Sequence, residues 1–252
     1  MASTRRTAAR ERTTQQTRDV TRALTGYRKK RDFALSPEPN GSASASGGRA
    51  GGRLFCVQKH LASHLHYDVR LEHCGVLLSW AVPKGPSLDP AVKRLAMQVE
   101  DHPVAYGAFE GVIPRGYGAG IVVMWDTGVW QPVVDDVDAA LARGNLPFVV
   151  LGRKLAGAWS LIRAGRVGPA AWLLIKQRDE WATRRDVTRN APGSVVSEGD
   201  FAEVLARAVN DPWPQHPPVV GGATGALFRQ VITAARTLRS SAASSIPARS
   251  RR

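Results

Sequence analysis

The stretch "QKHLASHLHYDVRLE", residues 58–72, decides the fold class of this chain. In "HYDVRLE" apolar and polar residues alternate strictly: Tyr67, Val69 and Leu71 against His66, Asp68, Arg70 and Glu72. A period of two is typical of a β-strand that turns one face into a core. We therefore predict a strand whose apolar face is buried and whose opposite face carries histidine, carboxylate and guanidinium side chains.

Further short strands are predicted on both sides of this stretch. "RLFCVQKH" (53–60) precedes it, and "VLLSWAV" (76–82) and "AGIVVMWD" (119–126) follow it, while 159–176 is typical of two strands joined by a glycine-rich turn. Frequent Gly and Pro separate these runs, and no βαβ alternation appears. The prediction from these patterns is a mainly β fold, a compact β-barrel or sandwich with short helices, flanked by flexible basic tails and a small helical C-terminal region.

The character of the sequence changes beyond residue 180. In "DFAEVLARAVN" (200–210) Asp200 and Glu203 form a capping box, and the apolar residues share one helical face: Phe201, Val204, Leu205 and Val209. "LFRQVITAARTLR" (227–239) is a second amphipathic helix candidate. Residues 183–252 are therefore predicted to be partly helical and partly a disordered basic tail.

The net charge of +14 is concentrated at the two ends of the chain. Residues 1–31 hold ten Lys/Arg against two acids, and residues 236–252 hold five Arg and no acid. We predict a disordered basic arm over 1–26 and a Gly/Ser/Ala-rich flexible linker over 40–53. Cationic tails favour a polyanion, most often nucleic acid held through its phosphates, over the alternative of a purely solubilising tail.

The cysteine content and the hydropathy of the sequence indicate the cellular compartment in which the protein is expected. Cys56 and Cys74 are too few for a disulfide framework, so free thiols in a reducing cytosol are expected, with a single bridge as the alternative. No apolar run reaches 18 residues, and the N-terminus lacks the apolar region of a secretory signal. The prediction is a cytoplasmic protein with no membrane partner.

The histidines of the opening stretch suggest a metal centre. Side chains two apart on a strand lie on one face about 6.5–7 Å apart, so His66 and Asp68 can lean towards one ion. His60 can supply a third ligand, although His64 has the same parity and the spacing does not decide between them. Two imidazoles and a carboxylate suit Mn, Fe, Zn or Co, and Arg70 on the same face suits a phosphate. The alternative is a set of ordinary surface or core histidines.

Residues downstream offer further candidates for a site that acts on phosphate. "VEDHPVAY" places His102 four residues before Tyr106, a pair that can supply a general acid or an oxyanion donor. Lys84 and Arg94 can add cationic phosphate contacts. A solvated loop and ordinary surface charge are the alternatives for all of them.

Four motifs closely resemble one family: "VQKHLASHLHYDVRLE", "LLSWAVPKGPSLDPAVKRLAMQVEDHPVAY", "FEGVIPRGYGAG" and "WLLIKQRDEWA". They resemble the 3′-phosphoesterase domain of bacterial DNA ligase D, the multifunctional ligase of non-homologous end joining. Upstream, "YRKKRDFALSPEP" is similar to that family's N-terminal segment, so the resemblance covers roughly residues 27–182. It implies a β-barrel with a groove as active site. It also implies a Mn²⁺-dependent enzyme that removes a terminal 3′ ribonucleoside and then the remaining 3′-phosphate, to leave a 3′-OH. Co²⁺ and Zn²⁺ are alternative ions.

The resemblance assigns roles by position in the matching motifs. It implies His60, His66 and Asp68 as metal ligands, and Arg70, His102 and Tyr106 as the residues that engage the scissile phosphate. His102, with an ordinary pKa of about 6.5, is expected to protonate the leaving oxygen. Positions that assist substrate binding or end processing are Gln58, Lys84, Arg94, Asp32 and Glu38. The implied partners are DNA or DNA–RNA primer–template 3′ ends and, in trans, a ligase, polymerase or Ku-type protein in the bacterial nucleoid.

Some features depart from the family pattern. "IPRGYGAG" is one residue shorter than the usual loop, and no ligase or polymerase motif follows, so a stand-alone enzyme is expected. Two other functions stay open. One is a non-haem Fe(II) oxygenase that uses His66, Asp68 and His102 as a facial triad. The other is a non-catalytic DNA-binding protein that relies on its basic tails.

Overall fold

The structure, a computed structural model, describes residues 19–41, 52–208, 212–213 and 217–244. Its strands, in chain order, are β1 Arg53–Leu61, β2 Leu65–His73, β3 Val76–Val82, β4 Lys93–Gln98, β5 His102–Pro103, β6 Gly111–Ile113, β7 Gly120–Pro132, β8 Asn145–Gly152, β9 Ala156–Arg163 and β10 Ala171–Lys176. Its helices are α1 Thr25–Lys29, α2 Val137–Arg143, α3 Val187–Asn190, α4 Phe201–Arg207 and α5 Gly222–Ser244, with a 3-10 helix over Val104–Ala108.

Eight antiparallel strands close into a barrel. Their order is β1-β2-β3-β4-β10-β9-β8-β7, and β7 pairs back onto β1, while the short β5 and β6 add to β3 and β7. Closure leaves no long unpaired edge. The predicted mainly β barrel with short helices is confirmed, including the two strands expected within 159–176.

The alternation predicted for "HYDVRLE" fills the barrel interior. Tyr67, Val69 and Leu71 are all buried in one cluster, together with tryptophans from β3, β7 and β10. Because successive side chains of a strand point to opposite faces, the polar residues of β2 must lie on the outside of the barrel. The candidate site is therefore on the outer face, as the sequence predicted.

The register of β1 against β2 brings the candidate residues of the two strands side by side. His60 pairs with His66, and Gln58 pairs with Asp68, across a short turn at residues 62–64. Directly paired residues on one face lie about 4.5–5.5 Å apart. A ligand group drawn from both strands follows from this pairing alone.

An N-terminal segment, residues 19–41, packs on the outside of the barrel. Leu24 and Tyr27 are buried against Leu77 and Tyr106, and the Tyr27 hydroxyl donates to the Pro39 carbonyl at 2.6 Å. The prediction of a disordered arm over 1–26 is wrong for residues 19–26, because 19–23 are helical and Leu24 enters this cluster. Residues 1–18 of that arm, and 42–51 of the predicted linker, lie outside the described residues.

The C-terminal helices pack against one end of the barrel. The predicted capping box is present, with Asp200 and Glu203 side chains bonding reciprocally to the first turn of α4. Residues of α4, of α5 and of the barrel share a second core, which includes Phe201, Leu205, Phe228, Ile232, Leu61 and Ile121. The buried Lys59 ties β1 to this region through Asp200, at 2.7 Å. Val209, predicted on the same face, and 245–252 lie outside the described residues.

Two further sequence expectations can be compared with the structure. Both cysteines are free, as expected. None of the helices within the described ranges combines the length and the apolar character of a membrane-spanning segment.

Candidate active site and metal centre

His60, His66 and Asp68 form a compact group of ligand atoms on the outer face of β1 and β2. The three atoms all lie within 4.8 Å of one another. His60 Nδ1 and His66 Nε2 are each 3.7 Å from Asp68 Oδ2. That separation exceeds a hydrogen bond, but it matches ligands of one ion with bonds of about 2.0–2.2 Å.

Backbone carbonyls orient both imidazoles. Nε2 of His60 lies 2.9 Å from the Gly118 carbonyl oxygen, and Nδ1 of His66 lies 2.9 Å from the His64 carbonyl oxygen. A carbonyl only accepts, so each of these nitrogens carries the proton, and the other nitrogen of each ring presents its lone pair next to Asp68. Such carbonyl partners are characteristic of metal-binding histidines. The His64 side chain is exposed and contributes only its carbonyl, so the geometry selects His60 over His64.

The charge state of the group also fits a divalent ion. Burial opposes ionisation of Asp68, but the charges of Arg70 and His66 outweigh it and hold the pKa of the carboxyl well below its usual range. Burial lowers the pKa of His60, which keeps that ring neutral at pH 7. Burial also acts on His66, but the Asp68 carboxylate outweighs it and raises the pKa of His66, so an incoming ion takes the place of the proton between His66 and Asp68. An ionised carboxylate and neutral imidazoles are the forms that bind metal. This donor set fits the transition ions Mn, Fe, Co and Zn.

Arg70 is held rigidly beside the ligand group. Its Nε donates to Gln58 Oε1 at 2.6 Å, Nη1 to Ser79 Oγ at 2.8 Å and Nη2 to Asp68 Oδ2 at 3.1 Å. The residue is only 2% exposed. These contacts leave the second N–H of each terminal nitrogen for a ligand. The arrangement suits a tetrahedral oxyanion that touches both the guanidinium and an ion.

Gln58 lies behind Arg70 and does not line the cavity. It is 0% exposed, and its amide nitrogen donates to the carbonyls of Tyr106 and Phe109 at 3.0 and 2.8 Å. The sequence predicted a substrate-binding role for this residue. The structure gives it no access to substrate and shows that it fixes the guanidinium of Arg70.

His102 and Tyr106, from β5 and the 3-10 helix, form the opposite wall of the site. Nδ1 of His102 donates to the Glu100 carbonyl at 2.8 Å, and Nε2 accepts from Arg31 Nη2 at 3.1 Å. Burial, and then the charges of Arg70 and Arg31, hold the pKa of His102 well below its usual range. The imidazole is therefore neutral in the free protein at pH 7, which differs from the ordinary pKa used to predict a proton donor.

Tyr106 packs between aromatic and cationic neighbours. Its ring meets His102 edge-to-face with centroids 4.9 Å apart, and the Arg70 guanidinium lies 4.8 Å from the ring centroid. Burial raises the pKa of its hydroxyl well above the usual range. Tyr106 therefore acts as a neutral phenol that supports Arg70 and His102.

Arg31 and Glu100 are two further residues of the site that no sequence motif singled out. Arg31 Nε lies 2.8 Å from Glu38 Oε1, and its Nη1 lies 3.1 Å from Glu100 Oε1. Glu38, predicted to bind substrate, is buried and engaged by Arg31 and by the Ser36 hydroxyl. Asp32 is exposed in a neighbouring groove, where Oδ1 accepts from the Ala34 amide at 3.0 Å. Arg31 lies in the N-terminal segment "YRKKRDFALSPEP" that is similar to the family, which is the one sequence signal for it. Its pairing with Glu100 is evident only from the tertiary fold.

A cavity of about 800 Å³ joins these groups, and its lining includes Arg31, His60, His66, Asp68, Arg70 and His102. Tyr106 and the exposed Lys84 line it as well. Arg94 does not line it. That residue lies two positions from Ala96, whose side chain is in the barrel core, so strand alternation directs Arg94 to the interior side of the sheet.

The fold and the site together define a class: a closed β-barrel that carries, on its outer face, an N,N,O group able to hold a metal ion beside a buried guanidinium. The family model of the DNA ligase D 3′-phosphoesterase domain matches residues 58–163. These residues contain every ligand of the group together with Arg70, His102 and Tyr106. Residues 58–163 therefore belong to the DNA ligase D 3′-phosphoesterase domain family.

The chain is also similar to whole proteins named LigD, which are longer than this chain. The chain is 53% identical over 180 residues to the multifunctional non-homologous end joining protein LigD of Pseudomonas aeruginosa, a match covering 69% of this chain and 21% of the relative. It is 41% identical over 160 residues to LigD of Mycobacterium tuberculosis H37Rv, covering 62% and 20%. For LigD of Mycolicibacterium smegmatis the identity is 34% over 212 residues, covering 81% and 27%. The matches thus span about a fifth to a quarter of these relatives.

Proposed function

We propose that this protein is a Mn²⁺-dependent phosphoesterase that heals DNA 3′ ends during double-strand break repair by non-homologous end joining. It removes a 3′-terminal ribonucleoside and then the 3′-phosphate, and so leaves a 3′-OH. The observation that carries the proposal is the His60–His66–Asp68 group beside Arg70, in a cavity of a domain that belongs to the DNA ligase D phosphoesterase family.

His60, His66 and Asp68 would hold the divalent ion. When bound, such an ion polarises a phosphate oxygen and lowers the pKa of a bound water. Mn²⁺ is the proposed ion, and Co²⁺ or Zn²⁺ fits the same donors. The chain's own contribution is the fixed orientation of both imidazoles and the ionised state of Asp68.

Arg70 binds the non-bridging oxygens of the scissile phosphate. Its guanidinium is oriented in advance by Gln58, Ser79 and Asp68, so no reorganisation is needed when charge develops on the phosphate. Preorganised donors of this kind typically contribute about 2.7–4 kcal/mol to transition-state stabilisation.

His102 and Arg31 act as a coupled pair on the far side of the phosphate. In the free protein Arg31 donates to the lone pair on His102 Nε2. A bound phosphate competes for Arg31, and its negative charge raises the pKa of His102. His102 can then hold a proton at Nε2 and give it to the leaving oxygen.

A cationic groove provides a path for the substrate strand. Its lining has four cationic side chains against two acids: Lys29, Lys30, Arg31 and Arg115 against Asp32 and Glu38. The groove meets the main cavity at Arg31 and at the half-exposed Tyr117. Cationic side chains track a phosphate backbone, and an accessible aromatic ring stacks on a base. The proposed substrates are DNA or DNA–RNA primer–template 3′ ends in the bacterial cytoplasm, close to the nucleoid. The proposed partners are a DNA ligase, a polymerase or a Ku-type protein.

The test uses a 5′-labelled primer–template that ends in a single ribonucleotide, and a matched one that ends in a 3′-phosphate. With Mn²⁺ we expect a shortened primer from the first substrate and a 3′-OH from the second, and neither product with a chelator or with His66→Ala. Failure of the wild-type protein to process either end in the presence of Mn²⁺ would overturn the proposal.

The two alternative functions have less support. A facial triad with His102 requires a free Nε2 near Asp68, whereas that nitrogen accepts from Arg31, and the imidazole grouped with His66 and Asp68 is that of His60. A non-catalytic DNA-binding protein leaves the preorganised Arg70 and the ligand group without a purpose. Succinate formed from 2-oxoglutarate with Fe²⁺ would support the oxygenase instead.

A further inference from the structure

A second group of metal-type ligands lies at the opposite end of β2 from the candidate active site. It consists of His73, the last residue of β2, Cys74 in the turn to β3, and Asp138 in the first turn of α2. The three ligand atoms lie within 4.8 Å of one another. His73 is seven positions along the strand from His66, roughly 23 Å away at the usual rise per residue. The two groups are therefore separate.

The distances within this group suit a small tetrahedral site. His73 Nε2 is 2.9 Å from Asp138 Oδ1, and Cys74 Sγ is 3.5 Å from the same nitrogen. Thiolate, imidazole and carboxylate ligands of one zinc-type ion lie about 3.3–3.6 Å apart. The sulfur is also 3.8 Å from His73 Nδ1, so it lies beside the imidazole ring, and the Cys74 side chain must rotate to reach an ion on Nε2. The Cys74 side chain is exposed and the Asp138 side chain is 77% exposed, so both have room to move.

The backbone at Cys74 is an independent indication. Cys74 has φ +49° and Gly75 has φ +84°, so both central residues of the β2–β3 turn are left-handed. Asn and Gly are the usual residues of such a turn, because side chains on other residues are strained there. Among the described residues only Cys74 and Glu198 are non-glycine residues with positive φ. The strained backbone places a free, exposed thiol beside His73.

We propose that His73, Cys74 and Asp138 bind a thiophilic divalent transition ion, of the Zn²⁺ or Co²⁺ type, at a site distinct from the phosphoesterase centre. A sulfur ligand discriminates against Mn²⁺ and Mg²⁺, which prefer oxygen. The thiol releases its proton to solvent when the ion binds, and the fourth position is open to water. The bound ion joins the β2–β3 turn to α2. The site does not depend on the proposed reaction.

The test is a Co²⁺ titration of the reduced 252-residue chain under argon. The titration is monitored by the near-ultraviolet charge-transfer absorption of a cobalt–thiolate bond. The candidate active site has no sulfur among its ligands, so this band reports only the second site. We expect the band to reach the amplitude of one cobalt–thiolate bond per chain. In His66→Ala it should saturate at one equivalent of Co²⁺, and in the wild type at no more than two, because the candidate active site takes up Co²⁺ without contributing to the band. We expect the band to be absent in Cys74→Ser and Cys74→Gly. In Asp138→Asn we expect the affinity for Co²⁺, read from the same band, to fall at least about 10-fold.

Matched variants assign the signal. Cys74→Gly suits the left-handed backbone and is expected to fold, which circular dichroism checks. His66→Ala and Cys56→Ala should both keep the band. The proposal is overturned if the wild type shows no band, if the band survives Cys74→Gly, if it disappears with His66→Ala or Cys56→Ala, or if Asp138→Asn leaves the affinity unchanged.

Discussion

The inner and outer faces of strand β2 differ in almost everything except the backbone they share. Tyr67, Val69 and Leu71 on the inner face pack with other apolar side chains in the barrel core. On the outer face Asp68 and Arg70 are equally buried, but they lie in a network of hydrogen bonds and charges. The inside of a small closed barrel is filled by side chains, so only its outer face can carry a cavity. Stability should therefore depend on one face and chemistry on the other.

The largest effect is expected from a substitution on the inner face, where the free energy of unfolding should change. Leu71→Ala should lower the free energy of unfolding by about 2–5 kcal/mol, because it opens a cavity at a fully buried position. Urea unfolding measures the loss. Turnover per folded molecule should stay within about three-fold of the wild type. The control is Leu151→Ala on β8, where the side chain is 63% exposed and little stability should be lost.

An opposite pattern is expected for the outer face. His66→Ala should reduce Mn²⁺-dependent turnover by about 10²–10³-fold, a loss of the size seen when one transition-state stabilising group is removed. Its melting temperature should change much less than that of Leu71→Ala, because the His66 side chain is partly exposed. His64→Ala, which keeps the supporting carbonyl, should lose less than about 10-fold. Equal losses in the two histidine variants would contradict the assignment of ligands.

Gln58 tests whether the outer face works as one unit. Gln58→Leu should reduce turnover by about 10–100-fold, because it removes the acceptor that orients Arg70. The same change made in an Arg70→Lys background should have little further effect, since Gln58 acts through the guanidinium. A double-mutant cycle measures this coupling. Additive losses would show that Gln58 has a role independent of Arg70.

The smallest expected effect concerns the ends of the chain. Deletion of 1–18 and 245–252, limits that spare Leu24 and α5, removes eight arginines and one acid. DNA affinity should fall less steeply between about 50 and 200 mM salt, because fewer phosphate contacts release counterions. Turnover on a short substrate should stay within about two-fold. An unchanged salt slope would mean that the barrel, and not its ends, holds the phosphates.

Local patterns were sufficient to predict some features of the fold and site. The alternation in "HYDVRLE" predicted the burial of Val69 and the outer position of Asp68, and the spacing in "DFAEVL" predicted the capping box. These signals lie within a few residues of one another, and local geometry alone determines them. The choice between His60 and His64 required the β1–β2 register and the Gly118 carbonyl, which no local pattern contains.

Other features depend on contacts between distant parts of the chain. Arg31 and Glu100 are 69 positions apart, and nothing in either segment indicates their pairing. Strand β4, "KRLAMQ", misleads in another way. Its apolar Leu95 is 38% exposed, whereas the small Ala96 is in the core. Trp80 and Trp172, on the two strands that flank β4, fill that part of the barrel, so that only a small residue fits between the two tryptophans. Arg94 is two positions from Ala96 and therefore lies on the same side of the sheet.

The N-terminal segment that supplies Arg31 and Glu38 precedes the barrel in the chain, yet its contacts are with residues 76, 77, 100, 102 and 106. Those positions take their places only when β3 and β5 have paired, and the barrel itself closes only when β7 returns to β1. The N-terminal segment can therefore dock in this position only after β3 and β5 have paired. Arg31 and Glu38 thus join the candidate site only after the strands that carry its other residues have paired, so completion of the site reports on the folding of the barrel wall beneath it.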